Sequence, residues 1–263
     1  MITINQDACT GCRKCADDCI GRYINIAHQK AVMDQDCFQC GHCVAVCPAG
    51  AISIPAYDMD DVEAYDPKTF HLNPDTLLHV IKFRRSVRRY KQNPVEADKI
   101  NMLIQAGRYS ATAKNSQGCR FIIIQNELDT LKELIWNHVD TLTQRPYKEI
   151  PRELLPFIVF NKRRKEDPKD DYLFRNAPAV VYITSDWPLD AGLAAQNMEL
   201  MAVSQGLGIL YNGYLCRISE HNQALKAWLG IEDTTIHACM LLGYPDVTYK
   251  RTAPRDQATV ILR

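Results

Sequence analysis

Hydrophobic and polar positions alternate in two different ways along this chain, and the change between them divides it. Near the N-terminus two short period-two runs, residues 2–4 and 52–54, read as strands that pair with each other. From about residue 75 onward the period lengthens. Asp75 is placed as the N-cap of a helix carrying Leu77, Leu78 and Ile81. Residues 96–106 put Ile100, Leu103 and Ile104 on one helical face, and residues 128–142 do the same with Leu131, Leu134 and Ile135. Continuous apolar runs at 121–124, 179–184 and 236–242 read as buried strands, with a fourth strand at 259–262. Residues 190–205 carry alanine, leucine and methionine on every side, which predicts a central helix buried all round. Mixed helices and strands in irregular order define an α+β fold.

With 263 residues, 46% of them hydrophobic, the chain can bury a full core and divides into about two domains. Between the two patterns lie Asp58, Asp60, Asp61, Glu63 and Asp66, a solvated connector. The expected organisation is therefore residues 1–56, an acidic linker over 57–74, and a second domain over 75–263. Basic and acidic residues balance at 31 each, so no global field draws the protein to nucleic acid or to an anionic membrane. No apolar run approaches the roughly 18 residues of a bilayer span, and no cleavable leader is read ahead of Cys9. A cytoplasmic, reducing setting is expected.

Chemistry concentrates first in the N-terminal part. One thiol spacing occurs twice: Cys9, Cys12, Cys15 and Cys19, then Cys37, Cys40, Cys43 and Cys47 followed by Pro48. Three closely spaced thiolates fold around one four-iron cluster while the fourth reaches across to the other. That rule assigns Cys9, Cys12, Cys15 and Cys47 to one [4Fe-4S] cluster, and Cys37, Cys40, Cys43 and Cys19 to a second. A disulfide framework is disfavoured because the triplets are too tight for most pairings. Zinc is disfavoured because structural zinc sites use ligand pairs separated by a longer loop. The stretch resembles a bacterial two-cluster ferredoxin, with Ile20 standing where a proline usually follows the fourth cysteine. A segment of about 55 residues has too little core to hold itself together, so the clusters are expected to act as its staples.

The second concentration is basic. Residues 82–91 hold Lys82, Arg84, Arg85, Arg88, Arg89 and Lys91 around Ser86, with no acid. Guanidinium groups and a hydroxyl suit a phosphate dianion, while composition alone equally allows a nucleic-acid patch or a solvated helix end. Small and amide residues from Ala106 to Gln117 follow, leading into the strand at 121–124. The order of Arg84-Arg85-Ser86-x-Arg88, then Ala111-x-x-x-Asn115-Ser116-Gln117, then Asn176-Ala177-Pro178, then a central helix toward Gly208 resembles the nitroreductase family of FMN-dependent oxidoreductases. The resemblance implies that Arg84, Arg85, Ser86 and Arg88 hold the flavin phosphate and ribityl chain. It places Asn115 and Gln117 on the ring and ribityl side, and Tyr211, Asn212 and Gly213 at the isoalloxazine edge. Lys250, with Arg251 or Arg255, would return to the phosphate. It implies a homodimer as well.

Other signals add little. Gly206-Leu207-Gly208 lacks the third glycine of a dinucleotide fingerprint. Cys119, Cys216 and Cys239 read as packing residues, His42 as solvent-facing or as a hydrogen-bonding group that tunes a cluster, and the charged stretch at 162–171 as a solvated loop or a lid. No Ser-His-Asp or paired-carboxylate constellation points to hydrolysis, and no residue is required as a proton donor. The combination predicts an oxidoreductase fed by a one-electron donor such as ferredoxin or flavodoxin, with NAD(P)H as a second donor. It would reduce a small nitroaromatic, quinone or enone-like acceptor. The competing reading is an electron-transfer flavoprotein that relays electrons to a protein partner.

Overall fold

The computed structural model describes residues 1–33 and 35–263, and its contacts group into two compact units. The first comprises Met1–His71 together with Thr112–Ser116; the second comprises Leu72–Ala111 together with Gln117–Arg263.

In the first unit, strand β1 (Thr3–Ile4) pairs antiparallel with β4 (Ile52–Ser53), as the alternation at both ends predicts. Between them lie helix α1 (Lys14–Asp17), the hairpin β2 (Asn25–Ala27) and β3 (Lys30–Val32), and helix α2 (His42–Val46). The core is small: Ile2, Ile24, Ala31, Ala51, Ile52 and Ile54, with Cys9 and Cys15. The backbone repeats along with the thiols. Left-handed residues occur at Gly11 and Gln39, at Arg13 and Gly41, and at Arg22 and Gly50, each pair offset by the separation of Cys9 from Cys37. Gly11 is required by a close approach as well, since a Cβ there would lie 2.0 Å from the Gln29 carbonyl oxygen. The acidic connector is more than solvated charge. Asp58 accepts from the Asp60 N–H to cap a 3₁₀ turn over Met59–Asp61, and Asp66 accepts from the Lys68 N–H to cap helix α3 (Pro67–Phe70).

The second unit opens with helix α4 (Pro74–Phe83). Its cap is Asn73, which accepts from the Thr76 N–H at 3.0 Å, and not Asp75. Pro74 occupies the first helical position, where its missing N–H costs nothing, and this shifts the start by two residues from the expected one. There follow α5 (Ala97–Arg108), β5 (Arg120–Ile124), α6 (Leu128–Thr143), α7 (Pro156–Glu166), β6 (Ala179–Thr184), α8 (Pro188–Ser204), β7 (Gly208–Tyr211), α9 (Gly213–Glu220), α10 (Gln223–Leu229) and β8 (Ile236–Gly243). The four strands form an antiparallel sheet in the order β5, β6, β8, β7.

Alternate residues of the central strands serve two cores. Val180, Tyr182, Cys239 and Leu241 face α6, α7, α9 and α10, while Ala179, Val181, Ile183, Met240 and Leu242 face α5 and α8. Covering both faces explains why these strands read as unbroken apolar runs. Full burial of one such aliphatic side chain is worth roughly 1.5–3 kcal/mol, so the two layers supply what the first unit lacks.

Three expectations are corrected here. Helix α8 is buried along one stripe, through Asp190, Ala191, Ala194, Ala195, Met198, Glu199 and Ala202, while Leu189 is 70% exposed. Residues 162–166 are the last turn of α7 and not loop, with Arg163, Arg164 and Lys165 placed where cations favour the helix C-terminus. Residues 259–262 form no strand; Val260, Ile261 and Leu262 are exposed, because a short apolar run gains nothing as a strand without a neighbouring edge within the chain.

Candidate functional site

The eight repeated cysteines separate into two sets of four in space. One cavity is lined by Cys9, Cys12, Cys15 and Cys47, the other by Cys19, Cys37, Cys40 and Cys43. This is the crossed arrangement that the spacing predicts. Short helices α1 and α2 carry the chain from the third thiol of each run toward the fourth, which lies at the opposite cavity. Backbone N–H groups point at the sulfurs: Ala31 to Cys9 Sγ and Tyr23 to Cys19 Sγ, each at 3.4 Å, Gln39 to Cys37 Sγ at 3.4 Å, and Ala51 to Cys47 Sγ at 3.3 Å. The Cys19 and Cys47 bonds occupy equivalent places in the two repeats.

Those N–H groups matter electrostatically. The Ala31 and Gly11 amides hold the Cys9 thiol below its ordinary pKa, and the Lys14 amide with the Thr10 hydroxyl does so for Cys12. Burial pushes Cys15 up and Cys43 up to about 11. Thiolates at the last two positions therefore call for a strongly positive partner. Among the described residues no three His, Cys, Asp or Glu side chains converge as ligands of a single ion. The four sulfurs ring a cavity instead, an arrangement that fits a multi-iron group with its own volume. His42 lines the second cavity and pairs through Nδ1 with Asp18 Oδ2 at 3.2 Å, on the surface as expected.

In the second unit the basic stretch is anchored to the sheet. Ser86 bridges to Ile209 of β7, the Val87 N–H donates to the Ile209 carbonyl at 3.0 Å, and Tyr90 bridges to Pro245. Gly208 permits this approach, because a Cβ there would lie 2.4 Å from Val87 Cγ2. The buried Tyr90 hydroxyl donates toward the carbonyls of Val87 and Leu241, and burial raises its pKa. Arg85 and Ser86 are half-buried and Arg88 is exposed. Arg89 is tied to Asp246 at 3.2 Å in an exposed pair worth about 0–1 kcal/mol.

Arg84 has a partner that sequence reasoning missed. Its Nη1 lies 3.1 Å from Oε1 of Glu199, a carboxylate with 2% side-chain exposure on α8 that also accepts from Gln196. Burial raises the Glu199 pKa, and Arg84 opposes the rise. The available signal was a second acid, after Asp190, at an inward position of a helix read as apolar. Tyr211, at the end of β7, senses the same pair, and burial raises its pKa.

The remaining positions differ in how much chemistry they leave available. Asn212 caps α9 by accepting from the Leu215 N–H at 2.9 Å, and its amide donates to the Leu173 carbonyl at 2.6 Å. Gly213 opens α9 beside it, and the two join Tyr211, Cys216 and His237 in lining a depression of about 370 Å³. Cys239 is fully buried, while Cys119 and Cys216 are half-buried; desolvation raises the Cys216 thiol to about 11. Lys250, Arg251 and Arg255 lie on an exposed tail without regular structure, and the Tyr249 hydroxyl brings its start within 3.5 Å of the Ser86 carbonyl. Gln117 has a left-handed backbone, as do Lys114 and Asn115. The Asn115 amide lies against the carbonyls of Phe38 and Gln39, within the first unit.

An antiparallel sheet between two helical layers, joined in one chain to two rings of four thiols, defines an oxidoreductase that carries an iron–sulfur unit. Comparison with known proteins makes this specific. The profile of the nitroreductase family matches residues 81–244, and that of a 4Fe-4S dicluster domain matches residues 1–67. The chain belongs to the nitroreductase family. It is 26% identical over 217 residues to YfhC of Bacillus subtilis, a protein named as an NAD(P)H nitroreductase, covering 73% of this chain and 98% of that one. Crystal structures of nitroreductases with bound FMN from Bacteroides fragilis and Desulfitobacterium hafniense share the fold. Their TM-scores are 0.58 and 0.57 at 22% and 21% identity, and each match covers 73% of this chain and all of the other. Among the described residues no helix is long and apolar enough to cross a membrane.

Proposed function

We propose that this protein is an iron–sulfur flavoprotein that takes electrons singly at two [4Fe-4S] sites and delivers them in pairs, from FMN, to a small electrophilic acceptor. The acceptor is nitroaromatic, quinone or enone-like in character. The observation that carries the reading is the pair of four-thiol cavities in a chain that belongs to the nitroreductase family. Iron–sulfur clusters exchange one electron at a time, whereas a flavin accepts one or two and gives up a pair as hydride. Each turnover takes two electrons from two molecules of a one-electron donor and two protons from solvent; a quinone or enone leaves with two added hydrogens, and a nitro group leaves as a nitroso group with one water released.

The chain's own residues bind and orient. Arg84, Arg85, Ser86 and Arg88 offer a cationic row for a phosphate, held in place by the bridges to Ile209 and Pro245, with Lys250 and Arg251 or Arg255 following Tyr249. Glu199 fixes the Arg84 guanidinium. Gln117 belongs to the ring and ribityl side on this reading, and Tyr211, Asn212 and Gly213 to the ring edge. With the Asn212 side chain committed to its cap, the backbone at Gly213 is the group left to face a ligand. The depression beside Tyr211 and Gly213 can admit a small ring, which favours the enzyme over a relay to a protein partner.

A homodimer belongs to the same proposal. Leu77, Leu78 and Ile81 on α4 and Leu189 and Leu193 on α8 are exposed, as are Val260, Ile261 and Leu262, and β5 is an edge strand. A second copy of the chain is the natural cover for these surfaces.

Anaerobic stopped-flow reduction tests the route. The flavin band of the wild type should bleach faster with reduced ferredoxin or flavodoxin than with NADH or NADPH. A variant lacking Cys12 and Cys40 should lose the first route and keep any residue of the second. Equal reduction of both proteins by NAD(P)H, with none by ferredoxin, would make the clusters structural staples and end the proposal.

A further inference from the structure

The two thiol repeats share their left-handed positions but not the residues that occupy them. Gly11 fills the place before Cys12, where glycine adopts φ +67 without penalty. Gln39 fills the equivalent place before Cys40 at φ 50, where a side chain costs on the order of 1–2 kcal/mol. Such a conformation persists where its surroundings hold it. In the first repeat the β2–β3 turn closes over Gly11. In the second, the Asn115 amide does the holding: Nδ2 lies 3.1 Å from the Gln39 carbonyl, 3.4 Å from the Phe38 carbonyl and 3.3 Å from the Tyr57 hydroxyl. These are the two residues between Cys37 and Cys40, so the amide fixes the peptide planes that set both sulfurs.

Asn115 is an unusual source for such a contact. It belongs to Thr112–Ser116, a short stretch of chain grouped with the first unit although both its neighbours in sequence belong to the second. Its own backbone is left-handed, as are those of Lys114 and Gln117, with φ of 55, 54 and 49 in the order Asn115, Lys114, Gln117. Three strained non-glycine residues in four positions mark a segment shaped for a purpose beyond folding. From Asn115 to Gln117 is two residues, at most about 7 Å of extended chain.

We infer that Asn115 is a positioning residue for the Cys37–Cys40 loop, and that this ties the site of Cys19, Cys37, Cys40 and Cys43 to the strand of chain that leads to Gln117. The inference rests on the iron–sulfur reading of the first unit. It departs from the family resemblance, which gives Asn115 to the flavin. Of the two thiol sites, the one containing Cys40 is thus the one whose loop is held by residues 112–116, while the Cys9 site is lined by the first 52 residues alone.

The test uses the full-length protein prepared anaerobically, with Asn115→Asp, which keeps the shape and removes the donor, and Asn115→Gln, which keeps the donor. Amide exchange at Gln39, Cys40 and Gly41 should quicken about 5- to 30-fold in the aspartate variant, the loss expected for one to two net hydrogen bonds, and less in the glutamine variant. Of the two reduced-cluster resonances, only the one missing from Cys40→Ser should shift. Tyr57→Phe, which removes one acceptor, gives a smaller change of the same kind if Asn115→Asp fails to accumulate. Loss of FMN with unchanged loop exchange and unchanged resonances would overturn the inference and return Asn115 to the flavin. Unchanged exchange with unchanged FMN would overturn it too. A wild type without acid-labile sulfide would instead remove the iron–sulfur reading, and the exchange rates would still decide whether Asn115 holds the loop.

Discussion

The two units solve the problem of holding a backbone in place by opposite means. The second has apolar layers on both faces of a four-stranded sheet, so side-chain burial decides its fold. The first has, among its described residues, eight buried hydrophobic ones, two of them cysteines, and strands of two or three residues. Left-handed non-glycine residues concentrate in the smaller unit: Arg13, Arg22, His28, Gln29, Gln39, Lys114 and Asn115 lie there, against Gln117, Arg175 and Asn176 in the larger. On the iron–sulfur reading proposed above, a unit that accepts so many costly dihedrals around so little core is held by what binds between its thiols. On that reading, stability in one unit is a property of side-chain packing, and in the other a property of ligation.

Removing the metal should break the comparison most visibly. With iron chelated, amides of residues 1–60 should exchange at unfolded rates while those of β6 and β8 stay protected, as read by hydrogen exchange resolved along the chain. Equal protection in both units would mean that the small core suffices. Next in size, Leu103→Ala empties a fully buried position between α5 and α8 and should cost about 2–5 kcal/mol. Chemical denaturation should register the loss in the second unit, leaving the cluster absorbance of the first unchanged at low denaturant.

A smaller effect sharpens the picture of the second unit by pH. Lys165 and Asn161 hold the Asp140 carboxyl below its ordinary value, through contacts of 2.6 and 2.7 Å. A depressed carboxylate stabilises the fold above its unfolded pKa and loses that contribution as pH falls through its folded one. Asp140→Asn should therefore lower the melting temperature at pH 7 and have progressively less effect below pH 4. Partial exposure keeps the difference near or below about 1 kcal/mol. A constant difference across that range would mean that lost packing, and not charge, is responsible.

What could be read in the sequence follows the range of the interaction. Thiol spacing is local, and the two cavities gather the cysteines in the same fours that the spacing groups. Apolar periods gave β6 at its observed limits and β5, α6 and β8 nearly so, since each is decided by its own burial. Arg84 and Glu199 are 115 residues apart, and nothing in either neighbourhood announces the other. Asn115 sits 76 residues from Gln39, inside a motif whose familiar meaning lies elsewhere. The run at 259–262 was read as a strand because it is continuously apolar, but a strand is defined by its neighbour. Asn73 displaced Asp75 as a cap because the proline between them decides where the helix starts.

The anchoring of residues 84–91 has a consequence in time. Ser86 and Val87 are fastened to Ile209, Arg89 and Lys91 accept and donate to Asp246 and Tyr244, and the Tyr90 hydroxyl bridges two carbonyls beneath them. A cationic row on a mobile arm would have to be ordered each time an anion arrived, and would give up part of its binding energy to that ordering. A row already fastened avoids this cost, and differences of that kind are expressed mainly in how slowly a ligand departs. Loosening Tyr90 by substitution with phenylalanine should thus shorten the residence time of a bound phosphate ester more than it slows its arrival.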